Sequence, residues 1–423
     1  MSADHDVAAA GSAAGSAPDA RTGRVPATPA LSSRSKLPSL TGLRFIAAAL
    51  VFVFHSSLMF IPMSPFADHG VAEGYRWFFN QAGSIGVSFF FLLSGFVLTW
   101  SARPQDTVTG FWRRRLLKIF PNHVATLVLA VLLVTSGAIP LGVWLPNLLL
   151  VHSWFPAASV HLSLNAPSWS LCCELLFYLL FPLLLRPVLR AGQRALWSLA
   201  AVMVACMVAV ELVADFLAPT STPAAGTDVT VWQFWFGYFF PPMRMFEFVI
   251  GMVLARLVLA GAFPRIRILP AAALCAAGYA ATLVVPFLYG LNLMTVIPIS
   301  VLICAVARAD AEGTRTVLRG RVMQWLGEVS FGFYLAQLIV LVYVRTKLMH
   351  GHTYSTPTGI AIVVGEFLLA LALGGLLMVF VERPVMRRWA RPKARHRASA
   401  VVASGTGSAS AATSSEQQRV PAP

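Results

Sequence analysis

Ten apolar runs, each long enough to cross about 30 Å of hydrocarbon as a helix, divide the 423-residue chain and leave little room for any fold but a multi-span bundle. They lie near 43–62, 84–101, 119–138, 168–189, 195–214, 234–258, 267–287, 291–308, 323–346 and 358–380. Lipid offers no partner to a bare peptide group, so runs of this length read as α-helices that satisfy their own backbone. Composition agrees, with 57% hydrophobic and 12% charged residues and a mean hydropathy of +0.72, against roughly 25% charged residues in a soluble domain. The expectation is an all-α polytopic membrane protein of about ten transmembrane helices.

A shorter run, "LGVWLPNLLLVHSWF" at 141–155, is broken by Pro146 and Asn147 and reads as re-entrant or interfacial. Ten spans with the N-terminus inside put 27 of the 32 lysines and arginines on the cytoplasmic side, leaving Arg44, Arg76, Arg244, Arg345 and Lys347. That is the pattern of the positive-inside rule, and it makes both termini cytoplasmic. An eleventh span at 141–155 would move the basic segment "ERPVMRRWARPKARHR" outside. Topology and anionic lipid account for the net charge of +15, so a lipid bilayer is expected as partner and nucleic acid is not.

Residues 1–36 and 396–423 are rich in Ala, Ser, Gly and Pro and are expected to be disordered tails flanking a membrane domain at 37–395. The first apolar run starts too late for a secretory signal peptide and serves as the first span. Cys172, Cys173, Cys206, Cys275 and Cys304 all fall within apolar runs, with no disulfide framework and no CxxC metal site. His350 and His352 read as a solvated pair in an outer loop, and no metal is expected. The outer loops near 63–83 and 156–167, with Trp77, Trp154 and His161, either cover a site or decorate a surface.

Ionisable residues inside apolar spans are costly, so each asks for a partner or a task. In "LRFIAAALVFVFH" Arg44 and His55 stand eleven residues apart, almost three turns, which places them on one helical face roughly 16 Å apart along the axis. They are spaced for one elongated ligand, unless Arg44 merely snorkels and His55 fills a polar gap. Glu174 lies in "PSWSLCCELLFYLLFP", Arg244 and Glu247 are three apart in "RMFEFVIG", and Ser330, Tyr334 and Gln337 recur at helical spacing in "LGEVSFGFYLAQ". Arg244 and Glu247 can equally form a structural ion pair, Ser330 and Tyr334 can be packing hydrogen bonders, and Trp169 can belong to an interfacial belt. By depth, Arg44, Arg115 and Lys118 fall near the inner face while His55 and Glu174 fall farther out. A cationic mouth suits a phosphate-bearing molecule, and an imidazole near a carboxylate suits proton transfer from a hydroxyl.

Together with "LPSLTGLRFIAAALVFVFH", "GVSFFFLLSGFVLTW", "FWRRRLLKIFP" and "VERP", these stretches make an ordered set over about residues 38–388 that resembles the acyltransferase 3 family of integral-membrane O-acyltransferases. The resemblance implies a multi-pass protein of a bacterial plasma membrane that moves an acyl group from acyl-CoA, a co-substrate rather than a resident cofactor, to a hydroxyl-bearing and commonly glycosidic acceptor. Family acceptors include surface glycans, peptidoglycan and macrolide antibiotics, and the Ala- and Arg-rich composition, typical of a high-GC bacterium, makes a macrolide-type metabolite a serious candidate.

By motif, Arg44 and His55 match the family's Arg-x10-His signature and Ser94-Gly95-Phe96 its second-span signature. Trp169, Ser170, Glu174 and Tyr178 match the fourth-span signature, Ser330 and Tyr334 the ninth, and Glu382 with Pro384 the closing Glu-x-Pro. Two positions depart from it: Lys118 stands where an arginine is expected, and Gln337 where a histidine is. The resulting expectation gives the donor's anionic end to Arg44, Arg115 and Lys118, makes His55 the base, Glu174 its orienting partner and Arg244 an oxyanion stabiliser, and leaves Trp169, Ser170, Tyr178, Ser330, Tyr334 and Gln337 to the substrate. A covalent acyl-histidine route is the variant. The competing class is a transporter or flippase, which needs no acyl donor.

Overall fold

The computed structural model describes residues 36–59, 62–103, 105–217 and 222–389; the two expected tails, apart from Lys36, lie outside these residues. In chain order the helices are α1 (Pro38–Ser56), α2 (His69–Phe79), α3 (Ala82–Trp100), α4 (Val108–Leu133), α5 (Leu141–Leu148), α6 (Ala158–His161), α7 (Trp169–Arg190) and α8 (Gln193–Leu217). They continue as α9 (Val231–Phe234), α10 (Pro241–Leu259), α11 (Ile268–Thr282), α12 (Phe287–Leu291), α13 (Leu293–Ala311), α14 (Arg321–Val342), α15 (Thr356–Leu376) and α16 (Arg383–Trp389). Two isolated bridges, Phe66 with Tyr354 and Pro223 with Thr230, are the extended pairings among the described residues.

Eight helical stretches among the described residues are long and apolar enough to cross a membrane. The other two expected spans fall on α10, which carries Arg244, Glu247 and Arg256, and on α11, which has 15 residues. The run at 141–155 forms α5, of 8 residues, followed by a 3-10 turn at His152–Trp154. At 1.5 Å per residue α5 is about 12 Å long, far short of a crossing.

Helix ends follow local chemistry. Pro38 opens α1, where the missing N–H costs nothing, and Asp310 of α13 accepts from Ser39 N and Ser39 Oγ at 2.7 and 2.6 Å. That carboxylate caps α1 from a distant part of the chain and opposes the positive end of its dipole. Asp68 caps α2 and Thr107 caps α4 through their side chains. Before α16 the chain widens into a π-turn at Leu377–Glu382, with Arg383 N donating to Met378 O. Pro384 cannot donate to the carbonyl four residues back, which favours the longer-range bond.

The spans pack around α3, almost every residue of which is buried. Lipid is as apolar as a leucine side chain, so helices associate through close approach and hydrogen bonds rather than a hydrophobic drive. The α3–α10 crossing shows this: a Cβ on Gly95 would land on the Phe248 carbonyl, and one on Gly251 on the Leu92 carbonyl. The glycine of the Ser-Gly-Phe motif is therefore a packing residue. Leu132, Leu183, Phe216, Val284 and Phe380 are exposed on the outside, as suits side chains solvated by lipid.

Between α4 and α7 the segment 141–168 folds back against the bundle and is tied down by polar contacts. His123 Nε2 donates to Asn147 O at 2.9 Å, Asn147 Nδ2 to Ser163 Oγ at 2.8 Å, Trp235 Nε1 to Ser153 O at 3.0 Å and Asn165 Nδ2 to Leu335 O at 3.0 Å. Leu150 and Leu164 both hold φ of 56°, a strained conformation for a branched residue that persists because the surrounding contacts fix it. Burial pushes the His161 imidazole in this segment down to about 4 and His152 down to about 3, so both are neutral at neutral pH.

Candidate active site

Arg44 and His55 both lie on α1, and the face they share borders three neighbouring spaces inside the bundle. The first, about 210 Å³, has His55 in a wall otherwise dominated by Val87, Leu162, Trp169, Phe234, Tyr238 and Phe287. The second is a constriction of about 40 Å³ lined by Arg44, Phe90, Ser170, Glu174 and Tyr334. The third, about 140 Å³, is bordered by Arg44, Ser94, Arg115, Lys118, Glu174 and Tyr178. Val87 and Tyr334 wall both the first and second; Arg44, Phe90, Glu174 and Phe331 wall both the second and third.

The partition between the first two spaces is hydrogen-bonded. Tyr334 Oη lies 2.9 Å from Ser170 Oγ and 3.1 Å from Pro167 O, and its ring packs edge-on to Phe90 at 5.8 Å between centroids. Trp169 packs against Tyr238 and Phe239, and the three rings line the first space together.

The imidazole of His55 is held by Gln337 of α14, whose amide nitrogen is 2.7 Å from Nδ1. In this amide orientation Gln337 Oε1 is buried without a partner. Exchanging the two amide atoms, which heavy-atom positions do not distinguish, lets Oε1 accept from Nδ1–H and frees the Nε2 lone pair of His55. That is the tautomer a proton acceptor needs. The residue standing in the place of the family's ninth-span histidine thus touches His55 directly.

Glu174, expected to orient His55, has a different partner: its Oε2 accepts from Tyr178 Oη at 3.1 Å, and among the described residues it makes no hydrogen bond with His55. It borders the two spaces on the Arg44 side of Tyr334, which separates it from the imidazole. The three expected donor-binding cations all border the third space, but they are not equivalent. Lys118 is ion-paired with Glu382, which also accepts from Asn122 Nδ2 at 3.0 Å. Arg44 and Arg115 make no ion pair among the described residues, and Arg115 sits over the Phe111 and Tyr178 rings at 5.6 and 5.7 Å.

Arg244 and Ser330 do not border these spaces, although Tyr238 of the first and Phe91 of the second lie between them and Arg244. Arg244 is fully buried, 2.8 Å from Glu247 and 3.1 Å from Ser88 Oγ, with Tyr238 and Phe91 stacked on its guanidinium. Its charge is answered by Glu247 of the same helix, and its bond to Ser88 ties α10 to α3. Ser330 donates to Gly327 O within its own helix at 2.8 Å. Sequence reasoning passed over Phe90 and Phe331, which shape the constriction, because an aromatic in an apolar run carries no local signal. It also missed the Gln337–His55 contact, which joins two spans 282 positions apart.

The family's Acyltransferase domain profile matches residues 37–381. Over 363 residues, 83% of this chain and 92% of the relative, the chain is 40% identical to Acyltransferase MdmB of Streptomyces mycarofaciens. It is also 24% identical over 381 residues to Peptidoglycan O-acetyltransferase OatA of Listeria monocytogenes, spanning 56% of that protein. No solved structure matches the chain. The domain match, these relatives and the multi-span fold define an integral-membrane, multi-pass O-acyltransferase. The chain belongs to the acyltransferase 3 family, which decides for the enzyme over the transporter.

Proposed function

We propose that the protein transfers an acyl group from acyl-CoA to a hydroxyl of a sugar-containing acceptor, a surface glycan or a macrolide-type metabolite. The observation that carries this reading is the sequence of spaces along α1, with two arginines that make no ion pair among the described residues at one end and His55 at the other. Arg44 and Arg115 take the donor's phosphates, and the Lys118–Glu382 pair steadies the mouth. A pantetheine arm on the order of 15–20 Å spans the rise of about 16 Å between Arg44 and His55 and threads the constriction beside Tyr334.

In the His55 chamber the acceptor hydroxyl attacks the thioester carbon while its proton passes to the imidazole. The new C–O bond forms, the C–S bond breaks, and the leaving thiolate takes the proton back from the imidazolium. Gln337 holds the ring in the tautomer that accepts. Glu174, through Tyr178, shapes the passage on the donor side. The apolar wall of Trp169, Phe234 and Tyr238 keeps water from competing for the acyl group.

The test is transfer from radiolabelled acetyl-CoA by the full chain in lipid nanodiscs. His55→Ala is expected to abolish transfer while CoA still binds, and Arg44→Ala with Arg115→Ala to weaken CoA binding. Normal turnover by His55→Ala overturns both the base and the covalent variant.

A further inference from the structure

Beyond the His55 chamber, a further cavity of about 570 Å³ lies between α2, the 226–228 loop and the 282–287 turn. Asn80, Gly226, Thr227 and Phe287 belong to its wall and to the wall of the His55 chamber, so one opens beside the other. Its volume lies in the range of small-molecule sites, and the donor chemistry above makes no use of it.

The lining points to a ligand class. Trp77 borders the cavity and is 56% exposed, a large ring face left uncovered by protein. Arg76 beside it is already answered by Glu73, at 2.9 Å from Nη2 and 3.3 Å from Nε. The other charge on the wall is Asp228, and the remaining polar groups include Asn80, Gln81 and Thr227. A site with one compensated cation and a carboxylate does not attract phosphate, in contrast to the Arg44–Arg115 end. Neutral donors and acceptors around an exposed indole suit a molecule with hydroxyls at its edge and C–H groups on its face, which is a sugar ring.

We propose that this vestibule is a glycone subsite: it holds a sugar of the acceptor other than the acylated position, stacked on Trp77 and hydrogen-bonded by Asn80, Thr227 and Asp228, while the neighbouring part of the same molecule presents its hydroxyl to His55. The proposal rests on the acyltransferase reading and adds where the acceptor is recognised. It also means that acceptor and donor approach His55 from opposite ends of the bundle.

The experiment uses the full chain in nanodiscs with two probe pairs: a glycosylated macrolide lactone with its aglycone, and a peptidoglycan disaccharide with its monosaccharide. Equilibrium binding and acetyl transfer from acetyl-CoA are measured for the wild type, Trp77→Ala, Trp77→Phe and Asp228→Asn. In at least one pair the fuller glycoside is expected to bind about tenfold tighter than its truncated partner. Trp77→Ala and Asp228→Asn are expected to erase most of that preference, Trp77→Phe to keep part of it, and the KM for acetyl-CoA to stay unchanged.

Equal binding within both pairs, or a preference untouched by Trp77→Ala and Asp228→Asn, overturns the subsite and leaves Trp77 as an interfacial anchor. A Trp77-dependent preference with no acetyl transfer to either acceptor overturns the donor reading instead, and the subsite stands.

Discussion

His55 of α1 and Gln337 of α14 meet at 2.7 Å between two neighbouring helices, so the ring that borders the 210 Å³ space is held by an amide and not by a carboxylate. Two helices that pack against each other along much of their length therefore also hold the ring of the candidate base.

Gln337→Leu removes that orientation and is expected to lower kcat about 10- to 100-fold, the scale of a mispositioned general base, with little change in the KM for acyl-CoA. Gln337→Glu, which still accepts from Nδ1–H, is expected to recover more activity than Gln337→Leu. Steady-state kinetics that show equal losses in the two variants would reduce Gln337 to a packing residue.

At the other end of α1, Arg44→Ala and Arg115→Ala each remove a cation that has no ion pair among the described residues. Each is expected to raise the KM for acyl-CoA about tenfold or more, the scale of a charge-assisted hydrogen bond to phosphate. Lys118→Ala should raise it less, since Glu382 already neutralises Lys118. Dephospho-CoA thioesters as alternative donors check the assignment, because the arginine variants should discriminate against them less than the wild type does.

Ser170→Ala deletes the hydrogen bond that ties Tyr334 into the partition. Acceptor-independent hydrolysis of acyl-CoA is expected to rise several-fold as water gains access to the thioester, measured as CoA release without acceptor. Unchanged hydrolysis would mean that Pro167 O alone holds the tyrosine in place.

Gly95→Val drives a side chain into the Phe248 carbonyl at the α3–α10 crossing, and a destabilisation of about 1–3 kcal/mol is expected from overpacking a helix interface. Thermal unfolding in detergent reports it. Gly365→Ala, where a Cβ meets open space, is the control and should leave the midpoint within a degree or two.

Burial lowers His161 from 6.5 to about 4, so between those values the unfolded chain binds the proton that the folded chain refuses. Stability is therefore expected to be full above pH 6.5 and to fall as the pH drops towards 4, because protons favour the unfolded state over that window. His161→Asn should flatten this part of the profile, measured as unfolding midpoint against pH.

The spans were legible because crossing a bilayer demands long apolar runs, and each expected span falls on a helix. The α1 face was legible for a related reason: helical spacing alone puts Arg44 and His55 in line. What could not be read was which side chains meet across helices. Glu174 and Gln337 lie on different spans, and only their relative depth and rotation decide that Gln337 reaches His55 while Glu174 stays with Tyr178. The Arg244–Glu247 ion pair was legible locally, from neighbours three apart, whereas the placement of Arg244 behind Tyr238 and Phe91 was not.

The folded-back segment 141–168 closes one wall of the His55 chamber without being a span itself, and it is fastened by side chains gripping backbone groups. Asn147, Ser153 and Asn165 tie it to the bundle without bordering the chamber, Leu162 and Ala166 border the chamber, and Pro167 does both, lining the chamber and accepting from Tyr334 Oη. On the proposed function, exchanging Leu162 or Ala166 reshapes the roof over the acceptor while the hydrogen bonds of Asn147, Ser153 and Asn165 stay in place.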